Sequence, residues 1–370
     1  MKWSWKIGEW AGIGVYVHAT FVMLIGFLII SNLTAGANLA GLLNGVGFVL
    51  ALFTCVLLHE FGHALAAKRY GIPTKDITLL PIGGLARLEK MPDKPQQELW
   101  VAMAGPLVNV VIAVVLLAIL TLTNALEPIG NLTVTEGSFL ERLMMVNVTL
   151  VLFNLIPAFP MDGGRVLRAL LAMRMDYAKA TRAAATLGQG FAFVFGIIGF
   201  FTNPLLMFTA LFIWLGAAQE ASAVQTKSAL GGIPVSRAMM TQFETLSPQN
   251  SIKHAADLII AGSQQDFPVL DRGHLIGLIT RGDVVKALAE RGQQGFVSGI
   301  MRRDFQTIEA MTLLGDVTDK LQLRGMHTVP VMQDGQLVGL LTLENIGEFL
   351  MIQSALKVAD DNRRELATTA

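Results

Sequence analysis

An uncharged run from Gly45 to Leu58 leads directly into the sequence His59-Glu60-Phe61-Gly62-His63. Residues four apart lie about one turn apart on one face of a helix, so both imidazoles can reach a single metal ion. Glu60 can reach a water molecule on that ion, which is the arrangement of a zinc-dependent protease. The alternative is a chance pair of hydrogen-bonded histidines. The apolar surroundings favour the metal site, because ionisable groups in a membrane helix are costly and usually functional.

The composition indicates an integral membrane protein. Of the 370 residues, 53% are hydrophobic and only 15% are charged, which is too apolar for a soluble protein. The formal net charge is zero, so no basic surface points to a nucleic-acid partner. The single cysteine, Cys55, excludes an internal disulfide. Apolar residues are concentrated before about residue 224, and the rest resembles a soluble α/β sequence, so we expect the main domain boundary there.

Six apolar segments are predicted to span the bilayer, because each approaches the roughly 20 residues that a spanning helix needs. They are Val15–Leu33, Gly45–Ala67, Leu99–Leu122, Phe139–Ile156, Ala184–Phe201 and Pro204–Ala221. For the first segment, which contains His18, a cleaved signal peptide ending near Ala35 is the alternative. Residues 1–14 carry tryptophans suited to a membrane interface, and the amphipathic segment 166–175, with Arg165, Arg168 and Arg174, is expected to lie there too.

The distribution of Lys and Arg predicts the orientation. In the six-span arrangement eleven basic residues fall on one side of the membrane, whereas loops 31–44 and 123–138 on the other side contain no Lys or Arg. The eleven are Lys68, Arg69, Lys75, Arg87, Lys90, Lys94, Arg165, Arg168, Arg174, Lys179 and Arg182. The positive-inside rule then places both termini and the zinc-bearing end of the second span in the cytoplasm.

Residues 72–91 predict a β-hairpin. Short apolar runs at 77–80 and 85–88 flank a turn that includes Gly83 and Gly84. Non-helical backbone at membrane depth must be covered by protein or line a cavity, so the open edge of the hairpin could receive an extended peptide by strand addition. A surface hairpin without such a role is the alternative.

A second cluster of polar residues follows the fourth span, at 154–165 (NLIPAFPMDGGR). Its prolines and glycines interrupt the helix, and a carboxylate ligand is what two neutral histidines lack around zinc, which suggests Asp162. Asp162 could also cap a helix that begins at Gly163. Asn154 could donate to an oxyanion or hold a substrate backbone, although an interhelical bond explains it too. Asn109, in the third span, should point inward and is grouped with Gly83 and Gly84 as a candidate substrate contact.

From Ile233 onward the sequence repeats with an offset of about sixty residues. Residues 235–241 recur as 297–303, and Gly277–Asp283 recurs as Gly339–Asn345. A strand ending at Thr280 leads to a helix that starts near Asp283. A hydroxyl and a carboxylate beside a helix N-terminus suit the phosphate and ribose of a nucleotide. A purely structural role for the pair is the alternative.

Taken together, the motifs resemble the site-2 protease family of intramembrane zinc metalloproteases (M50), in the branch with six spans and a C-terminal pair of cystathionine-β-synthase (CBS) modules. The similarity rests on residues 59–63, on 105–109 and on 154–163, which matches the family pattern N-x-x-P-x-x-P-x-D-G. It implies that His59, His63 and Asp162 bind one Zn²⁺, that Glu60 is the general base, and that Asn154 assists substrate or oxyanion binding.

The resemblance also implies that the hairpin around Gly83 and Gly84 is a re-entrant loop that holds substrate as a strand. In the CBS pair it implies an adenine-nucleotide site at Thr280, Asp283 and Thr342, and the second copy has Asn345 where the first has Asp283. The predicted domains are a protease domain at 1–224, a linker at 225–233, CBS modules at 234–292 and 293–356, and a flexible tail at 357–370.

The sequence therefore predicts a polytopic α-helical membrane protein with a re-entrant β-hairpin and a C-terminal α/β tandem CBS pair. Its predicted activity is hydrolysis of a peptide bond in or near the transmembrane segment of a single-span membrane protein in the cell membrane, tuned by nucleotide. A homodimer through the CBS modules is a further expectation. A CBS-regulated transporter or channel is the alternative function, and a zinc-binding scaffold without catalysis is a third hypothesis.

Overall fold

The computed structural model describes residues 3–36, 38–88, 92, 94–126, 137–293, 295–317, 321 and 327–369. The chain forms two compact units, Met1–Gln225 and Thr226–Ala370. Residues 127–136, which belong to the predicted loop 123–138, lie outside the described residues.

The first unit contains a four-stranded sheet. Its strands are β1 (Ser4–Trp10), β2 (Ile13–His18), β3 (Thr74–Leu80) and β4 (Gly83–Leu88). Strands β1 and β2 pair antiparallel, β2 and β3 pair parallel, and β3 and β4 form an antiparallel hairpin. The order β1-β2-β3-β4 places β4 at an edge of the sheet.

The predicted first span, Val15–Leu33, is wrong at its start. Residues 13–18 form β2, and helix α1 (Ala19–Thr34) begins only after His18, whose Nδ1 accepts from the backbone N–H of Thr20 at 3.3 Å. The sequence Ile-Gly-Val-Tyr-Val is apolar enough for a span, but its alternating β-branched residues suit a strand, and the parallel partner β3 lies some sixty residues away. The tryptophan-rich lead contains strand β1.

Six further helices lie among the described residues of the first unit. They are α2 (Leu39–Arg69), α3 (Pro95–Leu122), α4 (Phe139–Asn154), α5 (Asp162–Ala172), α6 (Tyr177–Thr202) and α7 (Pro204–Leu230). Among the described residues, α2, α3, α6 and α7 are long and apolar enough to cross a membrane. Helices α1 and α4 have 16 residues each, fewer than the roughly 20 that a perpendicular span requires. The count of six spans stays a prediction.

Helices α2 and α3 pack closely because Gly62 lies between them. A Cβ atom at Gly62 would lie 2.7 Å from the carbonyl oxygen of Ala104 and 2.9 Å from Cγ2 of Val108. Small residues permit such an approach between membrane helices, where packing rather than the hydrophobic effect drives association. The contact brings the histidine-bearing turn of α2 against the middle of α3.

An ion-pair network joins three helices of the first unit. Arg168 of α5 is fully buried, and its Nε donates to Oε1 of Glu98 on α3 at 2.7 Å. Its Nη1 donates to Oε1 of Glu220 on α7 at 2.5 Å, and its guanidinium lies over the rings of Phe159 and Tyr177. The expectation that Arg168 lies at the membrane interface is therefore wrong, because two carboxylates hold the guanidinium inside the protein.

The second unit consists of two similar halves with exchanged first segments. The halves are α8 (Ile252–Ala261), β5 (Asp266–Asp271), β6 (His274–Thr280) and α9 (Arg281–Arg291), and then β7 (Ile308–Glu309), β8 (Thr328–Gln333), β9 (Gln336–Thr342) and α10 (Leu343–Thr369). Val235, from the first repeat, lies in the hydrophobic core that contains Leu341 of the second half. Val297, from the second repeat, lies in the core that contains Ile279 of the first half. The packing therefore does not follow the repeat boundary predicted at 292.

Two segments expected to be irregular are helical instead. Helix α7 continues to Leu230, so that most of the predicted linker 225–233 is helix. Helix α10 continues through 357–369, where we expected a flexible tail. Both stretches lack glycine and proline before the helix ends and are rich in strong helix formers such as Ala, Glu, Arg and Leu, which explains the difference.

The buried network predicts the effect of removing its cation. Arg168→Met leaves Glu98 and Glu220 facing each other without a counter-charge, and breaking a buried ion pair from one side costs about 3–5 kcal/mol. We expect a correspondingly large fall in the unfolding free energy of the purified protein in detergent. Arg174→Met, at an exposed position just beyond α5, is the matched control. Equal stability of the two variants would contradict the assignment.

Candidate metal centre and active site

Two histidines of α2 face the interior of the first unit. His59 and His63 are 7% and 5% exposed, and their Nε2 atoms lie 3.1 Å apart. Helix α2 is capped at its start by Asn38, whose side chain accepts from the N–H of Gly41, and it continues unbroken past both residues to Arg69. The four-residue spacing on one continuous helix therefore places the two rings side by side, as predicted.

Asp162, 99 residues after His63 in the chain, lies beside both imidazoles. Its Oδ2 lies 3.2 Å from Nε2 of His59 and 3.1 Å from Nε2 of His63. Helix α5 begins at Asp162, and its N-cap residue is Met161, which makes no side-chain capping bond. Asp162 is therefore not the helix cap, and its carboxylate is directed at the imidazoles instead.

The outer nitrogens of both imidazoles face groups that accept hydrogen bonds. Nδ1 of His63 lies 2.7 Å from the carbonyl oxygen of Val101, and Nδ1 of His59 lies 2.5 Å from Oδ1 of Asn109. Each Nδ1 therefore carries a hydrogen, so that Nε2 of a neutral ring presents a lone pair. The two Nε2 atoms and Oδ2 of Asp162 can then offer three lone pairs to one metal cation.

The size and chemistry of this triangle fit zinc. The three residues form the candidate metal cluster found among the described residues. Their contacts of 3.1 to 3.2 Å compare with an edge of about 3.3 Å in a tetrahedron with ligand bonds of 2.0–2.1 Å. Two imidazoles and one carboxylate are also a common ligand set of catalytic zinc, which keeps its fourth position open for water or substrate.

Gly105 of α3 makes room for the imidazoles. A Cβ atom at this position would lie 2.2 Å from Nε2 of His63 and 2.7 Å from Nε2 of His59. No real side chain can occupy that space while both rings remain in place. A glycine in a membrane helix predicts close helix packing, but the atoms nearest to the Cβ position of Gly105 are those of the two metal-binding imidazoles.

Glu60 lies at the edge of the sheet. It is half-buried, and a Cβ atom at Gly84 of β4 would lie 2.5 Å from its Cγ and 3.1 Å from its Oε1. The absence of a side chain at Gly84 thus lets the carboxylate pass against the strand. Gly83, the first residue of β4, has φ of +137° and nothing within 4 Å of its Cβ position, which leaves the turn open.

The two candidate asparagines occupy different surroundings. Asn154 is the last residue of α4 and is half-buried, and its side chain makes no hydrogen bond within the described part of the chain. Asn109 is fully buried, and both ends of its amide bind protein, Oδ1 to His59 and Nδ2 to Oδ1 of Asn147 at 2.8 Å. Asn109 therefore has no polar atom left for the substrate contact that we expected.

Several residues of the site were missed by sequence reasoning. Asn147 and the carbonyl group of Val101 had no role assigned, and Arg168 was placed at the interface. Asn147 could have been found, because it is a polar amide in the predicted fourth span, where such groups usually bond another helix. A main-chain acceptor such as Val101 leaves no signal in the sequence.

The second unit contains a cavity of about 1090 Å³ between its two halves. Residues from both repeats line it, among them Thr280, Arg281, Thr342 and Asn345. Thr280 and Asp283 form a reciprocal capping box at the start of α9. In the second repeat the Thr342 hydroxyl accepts from the backbone N–H of Asn345 at 3.0 Å and donates to its Oδ1 at 2.8 Å. The two equivalent helix starts therefore border one cavity.

Asp283 is already bound within the protein. Arg302 donates to both of its carboxylate oxygens at 2.8 Å, and the Thr280 hydroxyl donates to Oδ2 at 2.7 Å. Burial alone would raise the pKa of Asp283, but the bonds from Arg302 and Thr280 outweigh it, and the pKa lies below its ordinary value. A ribose hydroxyl would have to share this carboxylate with Arg302.

Both units match known protein families. A family model described as peptidase family M50 matches residues 47–197, and the CBS domain model matches 235–290 and 297–351. A zinc metalloprotease of Methanocaldococcus jannaschii is 33% identical over 355 residues, covering 94% of this chain and 96% of that protein. A relative in Synechocystis sp. is 30% identical over 371 residues, covering 95% and 96%. The solved site-2 protease from Methanocaldococcus jannaschii is 35% identical, covers 59% of this chain and 95% of its own, and has a TM-score of 0.44.

Fold and site define a membrane-embedded zinc metalloprotease that carries a tandem CBS pair. The chain belongs to peptidase family M50, the site-2 proteases. The alternative of a transporter or channel is not favoured, since the matched family and the named zinc metalloprotease relative are proteolytic.

The position of Gly105 yields a test of the metal site. Gly105→Ala adds a Cβ atom where the two Nε2 atoms lie, so we expect zinc affinity to fall at least about tenfold, as for other disturbed ligand shells. Helix α3 itself should be unaffected, because Ala favours helices more than Gly. Gly190→Ala in α6 is the control, since nothing lies within 4 Å of that Cβ position. Metal content after dialysis against a chelator measures the effect, and full zinc retention in Gly105→Ala would argue against the site.

Proposed function

We propose that this chain hydrolyses a peptide bond in or near the transmembrane segment of a single-span membrane protein, with one zinc ion held by His59, His63 and Asp162. The observation that carries the proposal is the triangle of the two buried Nε2 atoms and the buried Asp162 carboxylate, in a unit that contains helices apolar enough to cross a bilayer. A cation satisfies all three lone pairs at once.

Glu60 is proposed as the general base. Bound zinc supplies a Lewis acid and lowers the pKa of water toward neutrality. Glu60 follows the ligand His59 directly and is only half-buried, so its carboxylate can take a proton from the attacking water and deliver it to the leaving amine. Asn154, whose amide has no described protein partner, is proposed to donate to the oxyanion or to the substrate backbone.

Strand β4 is proposed to bind the substrate. A helical segment hides its carbonyl groups in its own hydrogen bonds, so the scissile region must be unwound before attack. The edge position of β4 offers free backbone groups to an extended peptide, and Gly84 brings this edge against Glu60. Gly83 and Gly84 thus contribute space and backbone rather than side chains.

The orientation of the protein is inferred from its charges. The eleven Lys and Arg residues at 68–94 and 165–182, against none in loops 31–44 and 123–138, favour cytoplasmic termini and a cytoplasmic CBS pair in the cell membrane. The end of α2 that carries His59 and His63 would then lie toward the cytoplasm.

Two variants separate catalysis from metal binding. Glu60→Gln keeps the ligands but cannot accept a proton, so we expect cleavage of a single-span substrate to be abolished while zinc stays bound. Asp162→Ala removes a ligand and should lose both zinc and activity. Proteolysis by purified protein in detergent or liposomes, together with zinc content, checks both. Undiminished cleavage by Glu60→Gln would refute Glu60 as the general base, whereas wild-type protein that binds zinc but cleaves nothing would favour the scaffold hypothesis.

The CBS pair is proposed to bind an adenine nucleotide and thereby to regulate the protease. The support is the cavity bordered by Thr280 and Thr342, each at the start of a helix, where the helix dipole favours a phosphate. Dimerisation through the CBS modules is compatible with this role. A structural role alone remains the competing hypothesis.

Nucleotide binding is tested on the full-length protein. We expect calorimetry to detect ATP, ADP or AMP, and Asp283→Ala to weaken binding about tenfold or more, the effect of losing a hydrogen bond to a charged acceptor. Asp271→Ala, at an exposed turn of the same repeat, is the control. If none of the three nucleotides binds, or if Asp283→Ala leaves the affinity unchanged, the pair is an assembly module.

A further inference from the structure

A chain of hydrogen bonds connects His59 to a main-chain carbonyl group of α4. Nδ2 of Asn147 donates to the carbonyl oxygen of Leu143 at 2.8 Å. Oδ1 of Asn147 accepts from Nδ2 of Asn109 at 2.8 Å, and Oδ1 of Asn109 lies 2.5 Å from Nδ1 of His59. Both asparagines are fully buried, so water does not compete for these bonds.

The carbonyl group at one end fixes the direction of every bond. A carbonyl oxygen only accepts, so Asn147 must turn its NH₂ group toward Leu143 and its oxygen toward Asn109. Asn109 must then turn its own NH₂ group toward Asn147, which leaves its oxygen for His59. Nδ1 of His59 consequently carries the hydrogen, and Nε2 keeps the lone pair that a metal needs.

The single cysteine of the chain takes part in this arrangement. Asn147 Nδ2 lies 3.4 Å from Sγ of Cys55, which is one turn before His59 on α2. The NH₂ group of Asn147 thus has two acceptors, Leu143 and Cys55, and a flipped amide would lose both. His63 needs no such chain, because its Nδ1 donates directly to the carbonyl oxygen of Val101.

We propose that Asn109 and Asn147 are positioning residues of the metal site, with Asn147 acting through Asn109 to hold His59 in its zinc-binding tautomer. The inference rests on the proposed function, since it assumes that His59 is a ligand. An unrestrained Asn109 amide can rotate and present NH₂ to Nδ1. That orientation favours the tautomer with hydrogen on Nε2, which cannot coordinate.

Variants of Asn109 distinguish an acceptor from a packing residue. Asn109→Leu is similar in size but has no acceptor, whereas Asn109→Asp still accepts from His59. We expect zinc affinity, measured by competition with a chelator on the full-length protein in detergent, to fall about 10–100-fold in Asn109→Leu and to stay close to wild type in Asn109→Asp. A packing role predicts the opposite order, because burying a carboxylate is costlier than burying leucine.

A variant of Asn147 tests the relay itself. Asn147→Leu leaves Asn109 in place but frees its amide to rotate, so we expect weaker zinc binding and an altered absorption spectrum of the Co²⁺-substituted protein. Thr149→Val is the control, because its hydroxyl bonds the carbonyl oxygen of Met145 on the same helix at 2.9 Å but is exposed and distant from the chain to His59.

The outcomes separate this inference from the proposed function. Wild-type protein that binds no zinc would refute the metal site altogether. Zinc binding by wild type with equal affinity in Asn147→Leu and Thr149→Val would overturn the relay alone, as would Asn109→Asp binding as weakly as Asn109→Leu. Thermal unfolding of the zinc-free variants identifies any variant that fails to fold. If Asn109→Leu does not fold, the zinc affinities of Asn109→Asp and Asn147→Leu still test the relay.

Discussion

The convergence of two imidazoles and one carboxylate on a single buried point is the constraint on which the first unit depends. In an apolar interior Nε2 of His59, Nε2 of His63 and Oδ2 of Asp162 have no water to solvate them, and one bound cation would satisfy all three. The surrounding residues keep the lone pairs pointed inward. Acceptors hold both Nδ1 atoms, and the missing side chain of Gly105 leaves the space.

The same constraint explains why the site is assembled from distant segments. The two histidines come from one helix, but the carboxylate lies about a hundred residues later, at the start of a short helix that follows a break in the chain. A break of this kind leaves backbone groups free, and within a bilayer it is tolerated only where protein surrounds it. The sheet edge at β4 is likewise non-helical backbone, and it lies beside the Glu60 carboxylate. The histidines thus lie within a continuous helix, whereas the groups that meet them come from places where a helix begins or is replaced by a strand.

Short sequence patterns predicted the residues of the metal site better than they predicted how the helices and strands pack. The spacing of His59 and His63, the break before Asp162 and the hairpin around Gly83 each follow from a short stretch of sequence. The predictions that failed concern residues whose structure depends on partners distant in the sequence. Residues 13–18 are apolar enough for a span and become a strand because β3 lies beside them, and Arg168 has the spacing of an interfacial residue but meets Glu98 and Glu220.

The C-terminal repeat shows a different limit. Its period is plain in the sequence, but two equivalent segments can pack on their own copy or on the other copy with almost the same contacts. The structure has the exchanged arrangement, in which Arg302 of the second repeat reaches Asp283 of the first. Similarity between the repeats cannot distinguish these two packing arrangements, because the residues that make the contacts are similar in both copies.

The Arg168 network has a consequence for how the protein comes apart. Helices α3, α5 and α7 meet at one guanidinium and two carboxylates, and none of the three can separate alone without leaving a charge unpaired. Gradual loosening, helix by helix, is therefore penalised at every step. Removal of this protein from the membrane by a quality-control machine should then proceed through a single large extraction event, with few partly dismantled forms along the way.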